Sequence, residues 1–166
     1  MNLELRPVTV QDDPLLFEVY ASTRADEMRL VNWDKAQQEA FLRMQFNAQR
    51  SSYAMQFPHA DYRIIVQDGQ AAGRLIVDRS GEHILLIDIA LLPQFRRARI
   101  GSTLIGQLMI EAVTAQKPIT LHVEKFNPAL RLYERLGFSV IADSGLYLEM
   151  IWRPDRSAPS PLRSTA

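Results

Sequence analysis

Residues 83–101 read HILLIDIALLPQFRRARIG. The first ten are apolar apart from His83 and Asp88, the pattern of a strand buried on both faces, and this places the run in the middle of a sheet. Pro93 closes it. A basic turn follows, RRARIG at residues 96–101, and from about Ser102 the apolar side chains Leu104, Ile105, Leu108, Met109, Ala112 and Val113 keep one helical stripe to about Gln116, before Pro118. A buried strand that passes through a tight turn into a helix aims several backbone N–H groups and the positive end of the helix dipole at one point. Such a point suits a diphosphate, with arginines at hand to neutralise it. An ordinary loop carrying exposed arginines has the same local look, and strand–turn–helix units serve many functions.

Upstream, short β-like runs at residues 62–67 and 72–78 precede the central one, separated by the turn pairs Asp68-Gly69 and Ser80-Gly81. An antiparallel meander is the simple reading. Two helices come before it. Asp12 and Asp13 ahead of Pro14 start the first, with Leu15, Leu16, Val19 and Tyr20 at helical spacing to about Arg24. Asp34 caps the second, whose predicted inner stripe is Ala40, Phe41, Met44 and Ala48. Residues 1–8 form an opening strand that Pro7 ends. Downstream, ITLHVEK at 119–125 is a strand. Asn127-Pro128 opens a short helix that stops at Gly137, a favoured left-handed position, and residues 138–141 and 146–152 make a final pair around Ser144-Gly145.

The 166 residues suit a single domain over 1–153, with a tail at 154–166 whose proline, serine and charge lack apolar anchors and point to disorder. Lys plus Arg equals Asp plus Glu at 19 each, so no net positive field gathers nucleic acid or anionic membrane. There is no cysteine, which excludes disulfides, Cys-ligated zinc and thiolate catalysis. The N-terminal MNLELRPVTV has no signal-peptide core and no apolar run reaches spanning length; a cytoplasmic protein with no membrane partner is expected. His59 and His83 lack the spacing of metal ligands, and no metal is expected.

In order and spacing, the apolar strand to Pro93, RRARIG, a helix, ITLHVEK and NPALRLYERLGF (127–138) resemble the GCN5-related N-acetyltransferase (GNAT) family, over about residues 3–152. The resemblance implies an α/β (α+β) fold: a mixed, mostly antiparallel sheet of about seven strands flanked by about four helices. It also implies acetyl-CoA as co-substrate and a small-molecule or peptide amine as acceptor. A homodimer is a family-level expectation. The family's turn reads Q/R-x-x-G-x-G/A and its amides bind the coenzyme pyrophosphate. Arg96 and Gly101 match the outer positions, while Arg99 replaces the middle glycine and Arg97 occupies a place often taken by glycine. If Arg99 adopts helical dihedrals with its side chain outward, the amides stay available; otherwise the side chain blocks the site. The first reading is the working expectation. By resemblance the coenzyme contacts Ile89, Ala90 and Leu91 at the strand end, then Arg96, Arg97, Ala98, Arg99, Ile100, Gly101 and Ser102 in the turn, with Asn127 and Tyr133 beyond.

Acetyl transfer to an amine needs a base, because a lysine-type amine with a pKa of about 10 is charged at neutral pH. It also needs a donor for the oxyanion, by resemblance a backbone N–H near Leu91, and an acid for the departing thiolate, by resemblance Tyr133. His122 is a base candidate, at a position where some ribosomal-protein acetyltransferases of the family carry glutamate; a hydrogen-bonded core histidine is the alternative. Asp88, the only charge inside 84–92, could attract an ammonium group or be paired with an arginine. Glu124 shares the His122 strand face and could support it, or be a solvated strand-end charge. Asn127 can cap its helix, bind coenzyme or a water, or combine these. Trp33 lies in the segment between the first two helices, where family members often wall the acceptor pocket; ordinary packing accounts for it equally. Two functions are carried forward: an active N-acetyltransferase working by direct attack in a ternary complex, and a non-catalytic coenzyme A or small-ligand binding module whose turn Arg97 and Arg99 have altered.

Overall fold

The computed structural model describes residues 1–154. The chain runs β1 (Leu3–Pro7), α1 (Asp13–Thr23), α2 (Ala25–Arg29), α3 (Lys35–Gln56), β2 (Asp61–Gln67), β3 (Gln70–Asp78), β4 (Ile84–Leu91), α4 (Ile100–Ala115), β5 (Ile119–Glu124), α5 (Ala129–Arg135), β6 (Ser139–Asp143) and β7 (Tyr147–Trp152). The seven strands form one mixed sheet in the order β1-β2-β3-β4-β5-β7-β6. Three of its pairings, β1 with β2, β2 with β3 and β6 with β7, are antiparallel neighbours in sequence. The parallel pair is β4 with β5, at Ile84–Leu86 against 119–121, and α4 is its crossover. The predicted tail, beyond Pro154, lies outside the described residues.

The described residues form two compact units: residues 1–78 with 88–100, and residues 79–87 with 101–154. In the first, Phe46 and Ile64 are fully buried with Leu16, Tyr20, Met28 and Leu42 around them. The Phe46 ring lies 5.8 Å from that of Phe17 and 5.6 Å from that of Tyr20. A smaller cluster of Val19, Ala90 and Leu92 seats the end of β4 against α1. In the second unit the buried side chains include Leu104, Ile105, Leu108 and Ala112 of α4 and Ile119, Leu121 and Val123 of β5.

The structure corrects several sequence expectations. The inner face of α3 is Leu42 and Phe46, with Phe41 packed against the same core as predicted; Ala40, Met44 and Ala48 are exposed, so the rest of the predicted stripe lies on the outer side. The Asp34 cap is as predicted, its carboxylate accepting from the Gln37 amide at 2.8 Å while Gln37 Oε1 accepts from the Asp34 amide at 3.1 Å. The segment after Arg24 forms the short α2, so five α-helices occur among the described residues, in keeping with the about four expected. The strand β4 is buried on one face only, at Ile84, Leu86 and Ala90, with the alternate side chains half-buried. The Asp68-Gly69 turn carries φ of 49° and 80°, both left-handed, the twist that a two-residue hairpin demands.

The entry to α1 is fixed by a charged fork. Both guanidinium NH2 groups of Arg6 donate to Asp12, at 2.9 and 2.8 Å, and the Thr9 amide adds a third bond at 2.8 Å. Asp12 is buried, and its carboxyl is held well below the ordinary range chiefly by Arg6, against the opposing effect of burial. A carboxyl depressed in the folded state lends stability that is complete above its unfolded pKa of about 3.9 and is lost as acid titrates the folded group. Asp12→Ala should therefore lower unfolding free energy at pH 7 by about 1–3 kcal/mol. The gap from the parent should narrow below about pH 4, measurable by urea denaturation across pH; a gap constant down to pH 2 would contradict this assignment.

Candidate functional site

At the end of β4 in the first unit, the Leu92 amide donates to Ala72 O at 2.8 Å. Gly73 shows how close β3 lies there: an added Cβ would come within 2.0 Å of the Ala90 carbonyl oxygen. Only glycine permits that approach. A single 3-10 turn, Pro93–Phe95, follows, and Arg96 is extended at φ −74°, ψ 158°. Its side chain folds back, with Nε donating to Leu91 O at 3.0 Å and an NH2 group bonding Ser22 Oγ at 3.2 Å. The Arg96 guanidinium is thus spent on holding the strand end to α1. The outward cations of the turn are Arg97 and Arg99, both exposed, with Ala98 also exposed between them.

The helical dihedrals expected of Arg99 are not what the chain adopts. Arg97 and Arg99 take φ of 63° and 61°, the left-handed region, and α4 starts at Ile100 rather than near Ser102. The reason is geometric: after the 3-10 turn, residues 96–99 must carry the chain from the extended Arg96 into a right-handed helix, and alternation of hand makes so short a reversal. Alternation also gathers successive N–H groups on the concave side, a shape that binds anions. The arginines therefore hold the backbone form that glycine would adopt, at about 1–2 kcal/mol each for a side chain there. Ile100 is buried, while Gly101 and Ser102 are half-buried. A Cβ on Gly101 would meet only Leu132 Cδ2, at 3.5 Å, so alanine would fit there.

Asp88 is paired. Arg74 Nε donates to Asp88 Oδ2, and an Arg74 NH2 group donates to Gln49 Oε1 at 2.7 Å. The Arg74 side chain is 7% exposed and that of Asp88 24%. A guanidinium so deep requires such partners, and its charge compensates Asp88 in turn. Ile89 and Leu91 are half-buried beside it. Arg74 is the residue that sequence reasoning missed. Its signal was present, since it is the only charge in AAGRLIV (71–77), as Asp88 is in its own strand.

In the second unit Asn127 caps its helix, Oδ1 accepting from the Ala129 amide at 2.9 Å. Gly137 has φ 99°, and the Phe138 amide closes the helix end on Tyr133 O at 3.0 Å. That closure sets the buried Tyr133 ring 5.8 Å from Phe138. His122 is exposed on β5, opposite Glu149 of β7, which removes the core-histidine alternative. Glu124, on the same face, is half-buried opposite Tyr147. In the first unit, Trp33 meets Phe41 edge to face at 5.1 Å and remains 40% exposed. His59 and His83 are exposed, and no group of three or more His, Asp or Glu that could hold a metal occurs among the described residues. Likewise, no helix among them is long and apolar enough to cross a membrane.

Residues 23–138 match the family model described as Acetyltransferase (GNAT) family, and the chain belongs to that family. Membership makes acetyl transfer from acetyl-CoA its general chemistry. Among solved structures, the chain is similar to PaiA N-acetyltransferase from Thermoplasma acidophilum in complex with coenzyme A. The TM-score is 0.69 at 18% identity, with 92% of this chain and 99% of that one covered. It is also similar to the ribosomal-protein-S18-alanine N-acetyltransferase from Escherichia coli (TM-score 0.63, 17% identity, 96% and 98% covered). A third is the HPA2-related acetyltransferase from Corynebacterium glutamicum (TM-score 0.63, 22% identity, 93% and 97% covered). At these identities the likeness is one of fold. No curated protein matches the chain.

The left-handed turn makes a direct prediction. Arg97→Gly should raise unfolding free energy by about 0.5–1 kcal/mol, the relief of left-handed strain less the extra freedom of glycine in the unfolded chain. Arg97→Val, which puts a branched side chain at positive φ, should lower it. Thermal or urea unfolding of the two variants checks this; a valine variant as stable as the glycine one would show that Arg97 is not left-handed.

Proposed function

We propose that the chain transfers the acetyl group of acetyl-CoA to a primary amine by direct attack in a ternary complex. The observation that carries this reading is the turn at residues 96–100, whose backbone alternates hand at Arg97 and Arg99 and so keeps the anion-binding form without its glycines. The pyrophosphate would accept from the turn amides and the start of α4, with Arg97 and Arg99 adding charge. Arg96 would act on the strand end, since its bond to the Leu91 carbonyl holds the segment from which a backbone N–H would meet the oxyanion.

Each remaining step has a candidate in the chain. Tyr133, at the family's tyrosine position and held by the α5 closure, would give its phenolic proton to the departing thiolate. His122, exposed on β5, is the base we favour; Asp88, oriented by Arg74, would accept a hydrogen bond from the ammonium group. With no cysteine in the chain, a thiol-borne acyl-enzyme is not available and direct attack is the simpler route. The second reading, coenzyme binding without turnover, is favoured by one observation only, the bulk of two arginines in the turn.

Release of free thiol from acetyl-CoA across an amine panel separates the two: turnover with any amine supports the transferase, and saturable binding with no release supports the binding module. Tyr133→Phe keeps the ring packing on Phe138 and should lower kcat by about 100-fold or more while leaving acetyl-CoA affinity within about threefold. An unchanged kcat would remove Tyr133 from the acid role.

A further inference from the structure

The first unit holds a cavity of about 400 Å³ between the last turns of α3, the start of β2 and the far half of β3. This is the lower end of the range for small-molecule sites, about 300–1,000 Å³. Its walls carry four aromatic rings: Phe46 and Tyr53 from α3, Phe57 just past its end, and Tyr62 from β2. Its charges are of one sign. Arg50, Arg63 and Arg74 line it, and no carboxylate does.

The carboxylates stand behind these arginines and orient them. Arg63 is bound to Asp61 at 2.8 Å, Arg74 to Asp88, and Arg50 to Asp13 at 3.0 Å. Asp13 is shared, because Arg43 also reaches it at 3.0 Å, so four guanidinium groups meet three carboxylates. Arg50 also lies over the Phe46 ring at 4.7 Å. The Tyr62 hydroxyl, raised above the ordinary phenol pKa by burial although the charge of Arg74 opposes this, stays protonated and can donate. Arg43 does not line the cavity, and each arginine that does has a carboxylate partner, so what favours an anion there is that the charged groups facing the partly desolvated aromatic chamber are guanidinium donors. Arg74 connects the chamber to β4, since its other partner, Asp88, directly precedes the Ile89–Leu91 segment expected to contact the coenzyme.

We propose that this cavity receives the acceptor, and that the acceptor is a small amine carrying a carboxylate and an aromatic or branched apolar body. The inference rests on the acetyltransferase reading above and narrows it. The carboxylate meets the arginines, the body fills the aromatic walls, and the ammonium group is left for Asp88. Polyamines, aminoglycosides and lysine-rich peptides, which would bring only positive charge to the arginines, are disfavoured.

Matched probes test this on the full chain. 3-Phenylpropionate has the body and carboxylate without the amine; phenethylamine has the body and amine without the carboxylate. The first should shift the melting temperature and bind at least tenfold more tightly than the second. Arg63→Gln should weaken it, and Ala54→Trp, which fills the cavity from the exposed face of α3 without removing a charge, should abolish it. In thiol release, phenylalanine should exceed phenethylamine at least tenfold in kcat/KM, with spermidine below both. Turnover that prefers spermidine, or carboxylate binding untouched by either variant, would overturn the proposal while leaving acetyl transfer standing. Variant-sensitive carboxylate binding without thiol release from any amine would support the cavity's ligand class and overturn the acetyltransferase reading instead.

Discussion

Eight residues separate β4 from α4, and after the 3-10 turn the chain has only the last four, Arg96 to Arg99, in which to pass from extended backbone to a right-handed helix. At Arg97 and Arg99 it does so by entering the left-handed region, where an L side chain costs about 1–2 kcal/mol per residue. Glycine would avoid that cost, so retention of the left-handed form by two arginines means that the flanking structure dictates the trace. Those flanks are identifiable: Ala90 and Leu92 are packed with Val19, Ile100 is buried at the helix start, and Arg96 ties the Leu91 carbonyl to α1. A turn so constrained presents its amides in a fixed array, which is what binding of a diphosphate without reorganisation requires.

The same strand end is fixed from β3 by two further devices. Gly73 lets the β3 backbone approach the Ala90 carbonyl more closely than any side chain would allow, and the Arg74–Asp88 pair locks the register two positions earlier. Breaking that pair would leave a charge buried without its partner, so the position is held energetically as well as sterically. Position and pairing are thus set together: Asp88 is held by Arg74, and Arg74 also lines the cavity. Substrate selection and placement of the acetyl group would then share one residue.

Much of this was legible in the sequence where local chemistry decides local shape. The run at 83–92, the Asp68-Gly69 turn, the Asp34 cap and the exit at Gly137 each follow from residue type and spacing, and the structure has them. The order of elements pointed to the family because that order is written along the chain. What was not legible depended on tertiary context. Ala40, Met44 and Ala48 form a stripe as regular as that of Leu42 and Phe46, and which of the two turns inward depends on where α3 meets α1. Nothing local marks an arginine for positive φ. The link from Asp88 to Arg74 needed the register of two strands, although each residue was a lone charge in its own apolar run, and the cavity needed the packing of α3 against β2 and β3.

Calorimetry of the full chain with coenzyme A and, separately, with pantetheine isolates the diphosphate, because the two ligands share the thiol arm and differ in the nucleotide and its phosphates. The account predicts saturable heat with coenzyme A and an affinity at least about 100-fold lower for pantetheine, the loss of several charge-assisted bonds. Equal affinities, or no heat with coenzyme A at saturating concentration, would contradict the assignment of the turn.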